Sequence, residues 1–98
     1  MTITKNQKGT HLDIAIEGRL DTMTAPDLEA DLKNSLNGIE TLTLDLANLA
    51  YISSAGLRVL LSTHKIMAAR GGMKLIHVNE IVQEVFDVTG FADILTIE

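Results

Sequence analysis

The chain has 98 residues, no cysteine and one proline, and its 13 acidic and 8 basic side chains give a formal net charge of −5. Its length suits a single domain, and 46% hydrophobic residues suffice for one core. The lack of cysteine excludes a disulfide framework, and lysine and arginine do not cluster as nucleic-acid binding requires. No apolar run is long enough to span a bilayer, and we expect no secretory signal. We therefore expect a cytoplasmic domain with no nucleic-acid partner and no direct membrane insertion.

The N-terminal part of the sequence predicts a β-hairpin. Residues 2–5 form the first strand, and residues 6–9 are rich in turn-forming side chains. Apolar and polar side chains then alternate over residues 12–16, which is the period of a half-buried strand. Gly18 is expected to end this second strand.

A helix and a third strand follow the hairpin. Pro26 suits the first turn of a helix, and leucines recur at every fourth position from Leu28 to Leu36. Gly38 is placed to cap the C-terminus of this helix. Alternation resumes over residues 42–46, where three leucines predict the next strand.

A longer helix is predicted to begin at Ser53 or Ser54 and to end at residues 70–72. One apolar stripe marks the side of this helix that should face the core. The stripe comprises Leu57, Leu60, Leu61, His64 and Met67. Residues 73–78 then predict another strand.

The sequence ends with a predicted short helix. Asn79 can cap its start and Gly90 can end it. Its inward side chains are expected to be Ile81, Val82, Val85 and Phe86. Residues 94–97 form either a final strand or a last helical segment.

The predicted order is β-β-α-β-α-β-α, so the later strands should run parallel, each reached through a helix. Strands covered on both faces read as continuous apolar runs, whereas the strands here alternate, which leaves one face in contact with water. We therefore predict one α/β domain over residues 1–98. It is expected to have two layers, a small mixed β-sheet with helices mainly on one face.

The sequence contains little that points to catalysis. Cysteine nucleophiles, the Gly-x-Ser-x-Gly and His-Glu-x-x-His motifs and the phosphate-binding loop are all absent, and the three histidines are dispersed. His64 lies ten residues beyond Ser54 on one predicted helix, about 15 Å away, so the two cannot act as base and nucleophile. We therefore predict that the protein is not an enzyme and uses neither a cofactor nor a metal.

The start of the longer helix is the strongest candidate for a functional site. A serine here can simply cap the helix by accepting a hydrogen bond from a free amide. The same helix end can also hold a phosphate, because its amides and dipole favour negative charge. Arg58 is either a solvated surface residue or a part of this site, since its side chain leans back toward Ser54. Ala55 and Gly56 are small and leave room for another chain.

The loop that contains Asp21 and Thr22 is the second candidate. Asp21 is either an Asx-type cap of this turn or an acid placed beside Ser54. Met23 belongs to the core or lies partly exposed next to the turn. Loops that follow parallel strands gather at the carboxyl ends of the strands, so the two candidate loops should be neighbours. A carboxylate beside a phosphorylatable serine can act as a switch, because like charges repel after modification.

With these residues in view, the sequence resembles the STAS-domain family over nearly its whole length, and in particular the bacterial anti-sigma factor antagonists, or anti-anti-sigma factors. The most specific segment is Ser-Ser-Ala-Gly-Leu at residues 53–57. The segments that carry the resemblance are Gly18-Arg19-Leu20-Asp21 with Thr24-Ala25, Leu44-Asp45-Leu46, residues 52–57, Arg70-Gly71-Gly72 and Val88-Thr89-Gly90-Phe91.

The resemblance implies a partner-switching role in transcription regulation. In that family, the unphosphorylated antagonist binds an anti-sigma factor, usually a serine kinase of the histidine-kinase-like ATPase fold, and thereby releases a sigma factor. The kinase uses ATP to phosphorylate one serine of the antagonist, which breaks the complex, and a serine phosphatase reverses the modification. The resemblance leaves one alternative, an adaptor subunit of a lipid-transport ABC ATPase complex.

Alignment on Gly56 assigns residue roles by this resemblance. The phosphorylated serine falls on Ser54, and Ser53, where the best-known family pattern has Asp, is the less favoured acceptor. The family's acid in the preceding loop falls on Asp21. We refer below to the predicted partner-binding face, which comprises Asp21, Thr22, Ser53, Ser54, Ala55, Gly56 and Arg58.

Overall fold

The computed structural model describes residues 1–98 and confirms a mixed α/β fold. The elements in chain order are β1 (Thr2–Lys8), β2 (His11–Leu20), α1 (Ala25–Ser35), β3 (Thr41–Asp45), β4 (Leu49–Ile52), α2 (Ser54–Ala68), β5 (Met73–Ile76), α3 (Glu80–Thr89) and a 3₁₀ helix (Phe91–Asp93). None of the helices has the length and apolar character needed to cross a membrane.

Strand β2 is the centre of the five-stranded sheet, whose order is β1-β2-β3-β5 with β4 also paired to β2. β1 runs antiparallel to β2, and every other pair is parallel. β3 pairs with the first half of β2, from His11 to Ala15, and β4 pairs with its last three residues, from Gly18 to Leu20. One long strand therefore serves two partners in succession.

Gly18 marks the point where β2 changes partner. Its φ of 93° lies in the left-handed region, the register with β4 shifts immediately after it, and its amide donates to the Asn48 carbonyl at 3.0 Å. A bulge at a glycine re-aims a strand without ending it. The prediction that Gly18 ends the strand is therefore wrong, because β2 continues through this bulge to Leu20.

The core is one cluster of 23 buried apolar residues. The alternation predicted for β2 holds, since Leu12, Ile14 and Ile16 are at most 3% exposed while the intervening Asp13 and Ala15 are partly exposed. The apolar side of the sheet faces the core, and the other side is polar and partly exposed to solvent. This is the two-layer arrangement that the alternation predicts.

Strand boundaries differ from the predictions in three places. β1 extends through Lys8 and the turn lies at Gly9, whose φ is 61°, so residues 6–8 are strand and not turn. β4 is missed altogether, because its burial pattern of buried, exposed, exposed, buried has no period of two. β5 ends at Ile76, and the next residue, His77, has a φ of 56° that no strand tolerates.

The caps predicted for α3 are confirmed, whereas the burial predicted for some helix side chains is wrong. Asn79 caps α3 and Gly90 ends it at a φ of 79°, as expected. Ile81, predicted to face inward, is 63% exposed. In α2 the buried stripe is Gly56, Leu57, Val59, Leu60, Thr63 and Met67, whereas Leu61 and His64 are half-buried.

The ends of α1 and of the chain also differ in detail. α1 is capped at its C-terminus by Leu36, so Gly38 lies two residues beyond the cap instead of forming it. The 3₁₀ helix ends at Asp93, before the segment of residues 94–97 for which the sequence predicts a strand or a last helical segment. Within that segment, Ile97 forms a single parallel bridge with Leu75, which is the strand alternative reduced to one residue pair.

Gly56 determines how closely α2 approaches the sheet. A Cβ on this residue would lie 2.7 Å from Leu20 Cγ and 2.9 Å from Ile52 Cγ1, distances at which side chains must shift. Leu20 and Ile52 are both buried and therefore have little room to move. The first turn of α2 thus packs directly on the ends of β2 and β4.

This contact predicts that Gly56→Ala destabilises the protein although alanine is the better helix former. Overpacking costs about 1–3 kcal/mol, and the gain in helix propensity, about 1 kcal/mol, offsets only part of it. The free energy of unfolding, measured by urea denaturation, should fall. The matched control is Ser62→Ala at an exposed position of the same helix, which should stay within about 0.5 kcal/mol of the wild type. A G56A variant as stable as this control would contradict the packing argument.

Candidate functional site

The two candidate loops are joined directly through the backbone. Arg19 and Leu20 of β2 lie in register with Tyr51 and Ile52 of β4, and the Ser53 amide donates to the Leu20 carbonyl at 2.9 Å. The loop after β2 and the start of α2 therefore follow adjacent parallel strands and begin side by side. The neighbourhood expected from parallel topology is present in the structure.

Asp21 organises the loop between β2 and α1. Its Oδ1 accepts hydrogen bonds from the amides of Met23 at 3.0 Å and Thr24 at 3.1 Å. Its own amide donates to Thr24 Oγ1 at 2.8 Å, and the Thr24 hydroxyl donates to the Arg19 carbonyl at 2.8 Å. The Asp21 carbonyl accepts from the amide of Ala25, the first residue of α1, at 2.8 Å. Asp21 is thus an Asx-type cap, one of the two roles that its sequence position allows.

These contacts also fix the charge of Asp21. The Thr24 amide is the largest of the influences that lower the pKa of this carboxyl, followed by the Met23 amide, the Thr24 hydroxyl and the Arg19 guanidinium, while partial desolvation opposes them. Hydrogen bonds from amides favour the ionised form of a carboxyl. The loop therefore carries a permanent negative charge at neutral pH.

The two serines at the start of α2 occupy different environments. Ser53 is the N-cap residue, half-buried, with extended backbone angles, and its side chain accepts from the Gly56 amide at 3.4 Å. Ser54 is the first residue of the helix and its side chain is exposed. The capping role that the sequence left open belongs to Ser53, and Ser54 presents its hydroxyl to solvent at the positive end of the helix.

Arg58 lies one turn beyond Ser54 and is exposed, without an ion pair or a side-chain hydrogen bond. It borders a shallow groove of about 470 Å³ between α1 and α2. The residues that line this groove are Thr22, Ala25, Pro26, Glu29, Ala55, Arg58, Val59 and Ser62. Three members of the predicted partner-binding face, Thr22, Ala55 and Arg58, therefore share one concave surface.

Gly56 differs from the other residues of the predicted face because it is buried. Its side of α2 meets Leu20 and Ile52, so a partner cannot contact it from solvent. Gly56 contributes by letting the helix start approach the loop closely. The remaining residues of the face are exposed or partly exposed on the two joined segments.

Two residues near the site, Arg19 and Tyr51, were not assigned a role by the sequence. The Arg19 guanidinium lies 4.3 Å from the centre of the Tyr51 ring, and its Nε is 3.7 Å from Asp21 Oδ2. The prediction that Met23 belongs to the core or lies partly exposed is wrong, because Met23 is 82% exposed and is the most exposed large apolar side chain of the chain. The Arg19–Tyr51 pair is a cross-strand pair of β2 and β4, so recognising β4 would have revealed it.

The site is an exposed polar surface that carries one accessible hydroxyl. An exposed hydroxyl stands at a helix start, beside a loop with a fixed carboxylate and one turn before an unpaired guanidinium. No three His, Asp or Glu side chains converge as metal ligands would. A phosphate on this hydroxyl would add about −1.5 to −2 charges to an exposed surface.

The sequence is similar to known proteins over nearly its whole length. The sequence profile of the STAS domain matches residues 2–98. The chain is 34% identical over 99 residues to BtrV of Bordetella bronchiseptica, which is named as an anti-sigma factor antagonist, and the match covers 99% of this chain and 85% of that protein. It is 32% identical over 92 residues to the anti-sigma-B factor antagonist of Bacillus subtilis, covering 93% of this chain and 84% of the relative.

Solved structures show the same fold at lower identity. SpoIIAA, an anti-sigma factor antagonist, superposes in its unphosphorylated form with a TM-score of 0.83 at 17% identity, covering 99% of this chain and 88% of SpoIIAA. Its phosphorylated form, from Bacillus, superposes with a TM-score of 0.75 at 16% identity, covering 99% of this chain and 91% of the other. At these identities the likeness establishes the fold.

The lowered pKa of Asp21 predicts a pH-dependent stability. The wild type should exceed Asp21→Asn in stability at pH 7, because the folded loop favours the ionised carboxylate. A group with a lowered folded pKa stabilises above its ordinary value of 3.8, and that contribution is lost as the pH falls through the folded pKa. Urea midpoints of the two proteins should therefore converge below pH 4.

The matched control for this prediction is Glu84→Gln, which removes one exposed carboxylate of α3 that forms no ion pair. Its midpoint should follow the wild-type midpoint across the same pH range. A constant difference between wild type and D21N from pH 7 to pH 3 would show that the amide contacts do not depend on the charge.

Proposed function

The chain belongs to the STAS domain family, and from that premise we propose that it is an anti-sigma factor antagonist switched by phosphorylation of Ser54. In the unphosphorylated state it binds an anti-sigma factor that is also a serine kinase, which frees a sigma factor. The protein is a regulatory binding module and not an enzyme. The observation that carries the proposal is the exposed Ser54 hydroxyl at the start of α2, beside the Asp21 loop.

The relatives support the general role. The Bordetella and Bacillus proteins bear the name of anti-sigma factor antagonists, and both align over more than nine-tenths of this chain. SpoIIAA, which shares the fold, is known in an unphosphorylated and a phosphorylated form. The existence of both forms of a protein with this fold supports the proposal that the present chain is also switched by phosphorylation.

The choice of Ser54 over Ser53 rests on accessibility. A kinase needs a hydroxyl that can enter its active site, and the Ser53 oxygen is half-buried and engaged by the Gly56 amide. The Ser53 amide is also held by the Leu20 carbonyl. Ser54 requires no local opening, because its side chain is already exposed at the first helical position.

The reaction on Ser54 is a phosphoryl transfer catalysed by the partner. The Ser54 Oγ attacks the γ-phosphorus of kinase-bound ATP, a new O–P bond forms, and the bond to the β–γ bridging oxygen breaks to release ADP. A base of the kinase takes the hydroxyl proton. A serine phosphatase hydrolyses the phosphoserine and returns the free hydroxyl.

Phosphorylation weakens binding because it adds negative charge to the partner-binding face. The modification takes the formal charge from −5 to about −7 and places the added charge in the centre of the partner-binding face. Asp21 remains ionised nearby, so the new phosphate meets a fixed negative charge. A loss of about 3 kcal/mol from repulsion and desolvation weakens binding about a hundredfold.

The assignment of the acceptor predicts the outcome of a kinase assay. Incubation with the cognate kinase and ATP should add one phosphate to the wild type and to Ser53→Ala, and none to Ser54→Ala, as measured by intact mass spectrometry. The phosphate should map to Ser54 by fragmentation. Phosphate on Ser53, or no modification by a kinase shown to be active on another substrate, would contradict the proposal.

The charge mechanism predicts the effect of a permanent negative group. Ser54→Asp adds one charge in place of nearly two, so its affinity for the kinase should fall about tenfold, measured by isothermal titration calorimetry. The matched control is Asn37→Asp, an isosteric change at an exposed position beyond the far end of α1. It adds the same charge and should leave the affinity unchanged. Equal affinities of S54D and N37D would show that local charge does not govern binding.

A further inference from the structure

We propose that Arg58 is the intramolecular counter-ion of phosphorylated Ser54, so that phosphorylation withdraws this arginine from the partner-binding face. The inference deepens the proposed function and rests on it for the modification of Ser54. It changes the account of the switch, because the partner would lose an attractive cation in addition to meeting a repulsive anion.

The first argument is the state of the three arginines. Arg19 stacks on Tyr51 at 4.3 Å and lies 3.7 Å from the Asp21 carboxylate. Arg70 donates to the carbonyls of Leu36 and Ile39 at 2.6 and 3.0 Å. Arg58 alone has neither an ion pair nor a hydrogen bond, and its side chain is exposed. It is therefore the arginine that can form a new pair without breaking an existing one.

The second argument is spacing on the helix. Ser54 and Arg58 are both within α2 and are four residues apart, which places their Cβ atoms about 5–6 Å from each other on one face. Side chains in a helix tilt toward its N-terminus, so Arg58 extends toward Ser54 and not away from it. An acid four residues before a base is the favoured order for such a pair. A guanidinium also matches phosphate oxygens with two parallel hydrogen bonds.

The third argument concerns the competing charges. Glu29 borders the same groove as Arg58, but its carboxylate lies 3.3 Å from Lys33 Nζ. Arg19 and Asp21 on the adjoining loop are paired with each other. The end of β2, the loop after it and the helices α1 and α2 carry these charged or titratable residues: Arg19, Asp21, Asp27, Glu29, Asp31, Lys33, Arg58, His64 and Lys65. Arg19 and Lys33 are paired, and Lys65 lies eleven residues from Ser54, so a phosphate on Ser54 has Arg58 as the unpaired cation within reach.

The test uses the full chain with phosphoserine installed at position 54 during translation, in four backgrounds: otherwise wild type, Arg58→Gln, Arg58→Lys and Lys65→Gln. The second ionisation of the phosphate is followed by ³¹P NMR as a function of pH. With Arg58 present, the phosphate should bind its last proton about threefold more weakly than in R58Q, because the guanidinium stabilises the dianion.

The control variants separate the pair from general charge effects. K65Q removes one cation of the same helix eleven residues from Ser54, about 16 Å away, and should titrate as the wild type does. R58K keeps a cation at the same place and should retain part of the shift, so the result does not depend on the folding of R58Q. Titration of R58Q that coincides with that of the wild type would overturn the proposal.

This design distinguishes the inference from the function on which it rests. Phosphoserine is supplied without a kinase, so the ³¹P titration reports on the Ser54–Arg58 pair whether or not a kinase modifies Ser54. Failure of the kinase assay would contradict the proposed function and leave a measured shift standing. Absence of the shift with successful phosphorylation of Ser54 would contradict the pair alone.

Discussion

The pairing of β4 with the end of β2 is the constraint on which the candidate site depends. It continues one residue past the end of β4 in the 2.9 Å bond from the Ser53 amide to the carbonyl of Leu20, the last residue of β2. This bond sets the N-cap of α2 beside the first residue of the Asp21 loop. The buried Leu20 side chain then packs against Gly56 in the first turn of the helix. An ionised carboxylate and an exposed hydroxyl are therefore held on one surface by backbone geometry, independently of any side-chain contact between them.

Much of the fold could be predicted because local patterns and packing agree. The alternation of β2, the leucine spacing of α1 and the caps at Asn79 and Gly90 all correspond to structure. β4 could not be predicted, since its four residues have no regular alternation and gain their strand geometry only by pairing with β2. The same tertiary pairing explains why Gly18, a strand end by local criteria, is a bulge inside a longer strand.

The proximity of the two candidate loops could be predicted from the sequence more fully than the roles of the residues within them. Residue types and strand order placed Asp21 and the two serines in adjoining loops. The sequence did not show which of Ser53 and Ser54 caps the helix and which is exposed. One oxygen is used to cap the helix and the other is exposed. The Arg19–Tyr51 stack was missed for a related reason, because it joins residues that face each other only across β2 and β4. Contacts that depend on register cannot be read from spacing within one segment.

The exposure of Ser54 at the first position of α2 has a consequence for the rate of the proposed phosphorylation switch. An exposed hydroxyl can be phosphorylated and dephosphorylated without breaking a buried contact. Under the proposed switch, a cycle of modification would require no unfolding, and its rate would be set by encounters with the kinase and the phosphatase. The proposed modification would then change the charge of the surface without any need to change the fold of the domain.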